Sequence, residues 1–161
     1  MTNKTDIQEK MRLYQHQLDE AKKKEAEWQE QKAVRLEQFQ GLARDVIKPT
    51  MEHFSKEMGH QICRFRIDGD VENEESPQIR CWITPVGISL NEYEYRDVPH
   101  VFYIMDLSAN ELVTNISTIV KGKAGRIYEG ATYKLGEVTK DTVEKDLTHM
   151  LNELMDNLLS P

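Results

Sequence analysis

TDIQEKMRLYQHQLDEAKKKEAEWQEQKAVRLEQFQGLARDVIKPTMEHFSKEM, residues Thr5–Met58, is the stretch whose reading decides the fold. It holds no Gly or Pro before Gly41 and is dense in Gln, Glu, Lys, Ala and Leu, residues that lose little on entering a helix. The composition predicts a single long helix, about 80 Å from end to end at the α-helical rise. The rest of the chain should fold to a globule roughly 35 Å across. On that arithmetic the outer part of the helix protrudes, and without a partner it would fray. The division predicted is therefore a protruding, coiled-coil-like helix over residues 1–38 and an α+β domain over residues 39–161.

The two halves of this helix carry different patterns. Ile7, Met11, Tyr14, Leu18 and Ala21 follow a 4-3-4-3 spacing, which is a heptad seam, and Trp28 lies in the same frame. The positions between and beyond, Glu25, Lys32 and Arg35, break the seam, so it is sound for two heptads only. From Phe39 the apolar face widens through Leu42, Ala43, Val46, Ile47, Met51, Phe54 and Met58, the stripe of a helix lying on a core. Pro49 removes a backbone donor and crowds the carbonyl one turn back, which predicts a kink over residues 45–49 or a new helix beginning there. Thr5 is the expected N-cap, with Asp6 in the first turn, and Gly59 the expected stop.

Beyond Gly59, five short runs read as strands, with no helical segment between them. In Gln61–Asp68, Cys63, Phe65 and Ile67 alternate with Arg64 and Arg66; in Gln78–Thr84, Ile79, Cys81 and Ile83 alternate with Arg80 and Trp82. Val98–Leu107 is apolar on both faces, which predicts a central strand covered on both sides, with residues 39–58 and the last helix each supplying one cover, or a second subunit doing so. Glu111–Val120 and Arg126–Leu135 flank the glycine-bearing turn Lys121–Gly125. Short links of this kind predict a five-stranded antiparallel β-meander. Thr139 then caps a C-terminal amphipathic helix striped by Val143, Leu147, Met150, Leu151, Leu154, Leu158 and Leu159, with Val138 against Val143 as a staple. The predicted class is α+β: a long N-terminal helix kinked near Pro49, the meander, and the C-terminal helix.

Composition narrows the function. The 161 residues are 39% hydrophobic and 30% charged, and no apolar run is long enough to span a membrane. The first ten residues have no apolar core of a secretory leader. Cys63 and Cys81 fall inside strands and read as reduced core thiols, which points to the cytoplasm. Residues 1–58 balance eleven basic against eleven acidic side chains, so the net charge of −7 belongs to the remainder. An acidic body disfavours nonspecific contact with nucleic acid or anionic membrane, although Arg64, Arg66, Arg80 and Trp82 on one sheet face have the composition of a nucleic-acid platform.

No phosphate loop, nucleophile elbow, H-E-x-x-H or paired C-x-x-C is present. Lys121–Gly125 reads as a hairpin turn. The run Asp68, Asp70, Glu72, Glu74 reads as a solvated loop, because Asn73 and Ile79 stand where a calcium loop needs Gly and Glu. His53 and His60 share a helical face without further ligands beside them. No catalytic, cofactor or metal site is predicted. Simple alternation places Glu129 inward with Tyr133, across from Tyr103, which would make a candidate pocket carboxylate; a bulge at Gly130 would instead turn it outward.

The reading that follows is a non-enzymatic cytoplasmic scaffold or interaction protein. It would self-associate as a homodimer, or take a helical protein partner, through Ile7, Met11, Tyr14, Leu18, Ala21 and Trp28. A variant is an acidic chaperone-like adaptor for a basic or hydrophobic client. The alternative is a small-molecule-binding protein or enzyme with a pocket between sheet and C-terminal helix at Glu129, Tyr103 and Tyr133.

Overall fold

The computed structural model describes residues 3–161. Helix α1 runs Lys4–Leu42, a π-helical turn follows at Ala43–Ile47, and α2 spans Lys48–Met58. Strands β1 (Cys63–Asp70), β2 (Gln78–Pro85), β3 (His100–Asp106), β4 (Glu111–Ser117) and β5 (Ile127–Tyr133) lead to α3 (Lys140–Leu159). The chain divides into two compact units, one ending at Arg35 and the other comprising Leu36–Pro161. It is an α+β protein with the predicted order of elements.

In the first unit, α1 starts two residues earlier than the Thr5 cap implies. The Asp6 amide donates to Asn3 Oδ1 at 2.9 Å, so Asn3 is the capping side chain. Contacts along the helix are short-range and exposed: Arg12 to Glu9 at 2.9 Å, Gln15 to Asp19 at 3.0 Å and Gln29 to Glu25 at 2.8 Å. Each is worth a few tenths of a kcal/mol at most, roughly 0.2–0.5.

In the second unit, Pro49 sets the break between helices. In an unbroken α-helix residue 49 would donate to the Asp45 carbonyl, and proline has nothing to donate. The backbone widens instead, and the Lys48 amide reaches the Ala43 carbonyl five residues back. Helix α2 then begins with Pro49 in its first turn, and Gly59, at φ 74°, ends it by giving its amide to Ser55 O at 3.0 Å.

The sheet is a meander in the order β1-β2-β3-β4-β5, antiparallel throughout. Its inner face carries Ile79, Cys81, Ile83, Val101, Tyr103, Met105, Leu112 and Ile116, all buried, in one core with Phe39, Ile47, Met51 and Phe54 from the helices before the sheet and Val143, Leu147, Met150 and Leu154 from α3. Cys63 and Cys81 are free and buried in this core; burial pushes the Cys63 thiol up and the Cys81 thiol up to about 12.

Cover of the central strand differs from the expectation. Helices α2 and α3 pack on each other and share the inner face, so neither reaches the outer one. There His100 and Phe102 of β3 are closed over by Trp82 and by the connection that follows β2, whose Tyr95 ring meets Trp82 edge-on at 4.9 Å. Trp82, expected to face outward into water, is only 3% exposed for that reason.

Thr139 caps α3, accepting from the Thr142 amide, and Val138 and Val143 are both buried beneath that end. At the other end the Lys123 ammonium, from the β4–β5 turn, donates to the carbonyls of Leu158 and Ser160. This clasp satisfies carbonyls that the helix leaves unpaired and sets a cation where the helix dipole favours one.

Candidate functional site

The predicted partner-binding residues lie on α1 and fall into two groups. Ile7, Met11, Tyr14 and Leu18 are large, exposed apolar side chains, with Met11 and Tyr14 at 65% and 62%. Ala21 is also exposed, whereas Trp28 is half-buried, with the Arg35 guanidinium 5.6 Å from its ring centre. The helix brings the first four onto one face at heptad spacing, and the cation–π contact sets Trp28 apart.

The residues of the candidate pocket separate. On β4 and β5, Val113 pairs with Thr132 and Asn115 with Glu129, so two steps on β4 face three on β5. The extra residue is a bulge at Gly130–Ala131, and it reverses the alternation upstream. Glu129 therefore stands exposed on the outer face, across from Asn115, while Tyr128 turns inward beside Ile116. A Cβ at Gly130 would come within 3.3 Å of Thr114 and 3.2 Å of Ile116, so any larger residue there would have to push those side chains aside by a few tenths of an ångström.

Tyr103 and Tyr133 do converge, but on Asp146 of α3. The Tyr103 hydroxyl donates to Asp146 Oδ2 at 2.6 Å, and the Tyr133 hydroxyl reaches both carboxylate oxygens at 3.0 Å. Burial, and then the Asp146 charge, push the Tyr103 hydroxyl well above its usual value and Tyr133 up to about 12. Both stay neutral donors at any physiological pH. The seam continues along α3. Thr118 donates to Glu153 at 2.6 Å, Arg126 meets Glu153 at 2.9 Å, and Asn157 donates to the Thr118 carbonyl at 2.9 Å. Burial raises the Glu153 carboxyl, and the bonds from Thr118 and Arg126 more than reverse it, holding it low.

The outer face carries a second array. Asp68 accepts from Arg80 Nε at 2.6 Å and from the Trp82 indole at 3.0 Å, and Arg66 stacks over the Trp82 ring at 5.3 Å. His100 stacks on Phe102 with centroids 3.7 Å apart. Its ring nitrogens lie 2.6 Å from the Val98 carbonyl and 2.8 Å from Asn115 Oδ1. Burial lowers the His100 pKa against the pull of these two contacts, so the neutral ring is the stable form there.

Among the described residues, His53, Glu57 and Glu144 have donor atoms within 4.8 Å of one another and are the group placed to share a cation. Two are exposed, and the Lys140 ammonium lies 4.0 Å from Glu144, competing for that carboxylate. His60 is not part of it; it meets Ser55 Oγ at 3.4 Å and the Phe65 ring edge-on. None of the described helices is long and apolar enough to cross a membrane.

Sequence reasoning passed over Asp146 and Glu153. Their signal was present: seven residues apart, with Asn157 four further on, they form a polar row beside the Val143–Leu147–Met150–Leu154 stripe. The fold thus defines an α+β unit with both covering helices on one face of a five-stranded meander. Compared with protein-family models, curated proteins and solved structures, the chain matches none.

Proposed function

We propose that the protein is a non-enzymatic, cytoplasmic interaction protein that self-associates as a homodimer through α1. One observation carries this reading: Ile7, Met11, Tyr14 and Leu18 form an exposed apolar row at heptad spacing. Contiguous apolar side chains left in water mark an interaction face, because covering them is favourable by about 25 cal/mol per Å². A second copy supplies a matching row by symmetry, since residue i meets its equivalent in a parallel pair. The balance of acidic and basic side chains over residues 1–58 keeps two such helices from repelling each other. Ala21 extends the row, and Trp28 closes it against Arg35. The acidic second unit suits a basic client held by such a dimer, the chaperone-like form of the same reading.

Light scattering on the full chain, on a chain beginning at Leu36, and on a Met11→Glu/Tyr14→Glu variant tests it. A dimer for the first and monomers for the other two is the expected pattern. A full chain that is monomeric at high micromolar concentration would remove self-association.

A further inference from the structure

On the outer face of the sheet, the connection after β2 and the edge of β1 enclose a hollow of about 350 Å³. Arg64, Arg66, Trp82, Leu90 and Tyr95 line it, with Trp82 itself nearly fully buried. No acidic side chain lines it, although the whole chain carries −7. Register explains the arrangement: Arg64 is paired across the strands with Thr84, and Arg66 with Trp82, so both arginines share one face with the tryptophan.

The two arginines are not equivalent. Arg66 is already engaged, stacked on Trp82 and 3.5 Å from Asp68, a carboxylate that also serves Arg80. Arg64 is exposed and has no carboxylate within salt-bridge distance among the described residues. An unmatched guanidinium beside an aromatic side chain selects a flat anion: its fork fits a carboxylate with two parallel bonds, and the ring fits against Tyr95. Trp82 next to them is held in place, its indole tied to Asp68 and packed by Tyr95 and Phe102. A volume at the low end of ligand pockets, roughly 300 Å³ upward, admits one small ring and not a polymer strand.

We propose that this hollow is a binding site for a small aromatic carboxylate, with its carboxylate on Arg64 and its ring against Tyr95 and Leu90. The site uses no residue of the α1 row, so it stands whether or not the chain dimerises.

The chain has two tryptophans, Trp28 and Trp82, so its indole N–H signals in a proton–nitrogen NMR spectrum number two and report separately. Titration of the full chain with benzoate should move the Trp82 signal saturably in the millimolar range and leave Trp28 in place. Arg64→Ala, at an exposed position, should keep the rest of the spectrum and weaken binding about tenfold, the loss of one charge-assisted pair. Tyr95→Ala should weaken it as well, and benzyl alcohol, which lacks the charge, should bind less tightly than benzoate. The proposal fails if benzoate gives no saturable Trp82 shift, if Arg64→Ala binds benzoate as the parent does, or if inorganic phosphate binds as tightly as benzoate.

Discussion

Asp146 serves two tyrosine hydroxyls at once, and its loss is correspondingly costly. Asp146→Ala strands the fully buried Tyr103 hydroxyl, a change worth about 1–3 kcal/mol; urea unfolding should show that drop, with Asp146→Asn losing less. Thr114 makes the opposite case. Its Oγ1 is buried with no hydrogen-bond partner in the protein, so Thr114→Val should be neutral or stabilising by the same measure. His100 gives a pH effect of definite sign. Its folded pKa lies below the ordinary value, so below pH ~6.5 the unfolded chain binds the extra proton and stability falls as pH drops. The groups that face it, Trp82, Phe102, Asn115 and the Val98 carbonyl, include no carboxylate to compensate. Melting temperature should decline from neutral to mildly acidic pH more steeply in the parent than in His100→Gln. Single residues were also where sequence was least legible. Strict alternation would place Glu129 inward, but the glycine beside it signals the bulge, and the extra residue at Gly130–Ala131 does turn it outward; Asp146, whose two tyrosine partners come from distant strands, left no such local signal.

Elements were read far more fully than residues. The five strands, the C-terminal helix and its Thr139 cap follow from alternation, stripe and capping chemistry, which are local and therefore visible in the chain. Thr139→Ala should cost about 1 kcal/mol, measured as the shift of the unfolding midpoint. Pro49 likewise announces a disturbance in the first helices, and the structure shows its form: a π-helical turn at Ala43–Ile47 through which the backbone stays helical into α2. Ala43, Ile47 and Met51 all reach one core, which is a tertiary demand. Trp82 illustrates the same limit, since its burial comes from a connection that carries no periodicity of its own.

For the whole molecule, the meander was legible because no link between strands holds a helix, while the cover of the two sheet faces was not. Nothing in an apolar run says whether a helix or a loop will lie on it. The Leu36–Pro161 unit contains the whole hydrophobic core of the sheet. A chain beginning at Leu36 should therefore melt cooperatively within a few degrees of the full chain at equal protomer concentration, as calorimetry would show; a collapse of the transition would contradict it. The meander's nearest-neighbour order also has a consequence during synthesis on the ribosome. Each strand can pair with the one just made, so the sheet grows hairpin by hairpin as the chain emerges. Asp146, Glu153 and Asn157 come only afterwards, on α3. Until that helix is released, Tyr103, Thr118 and Tyr133 wait in a half-built core without their partners, and the nascent sheet presents the part of its inner face that α3 will cover to whatever stands at the tunnel exit.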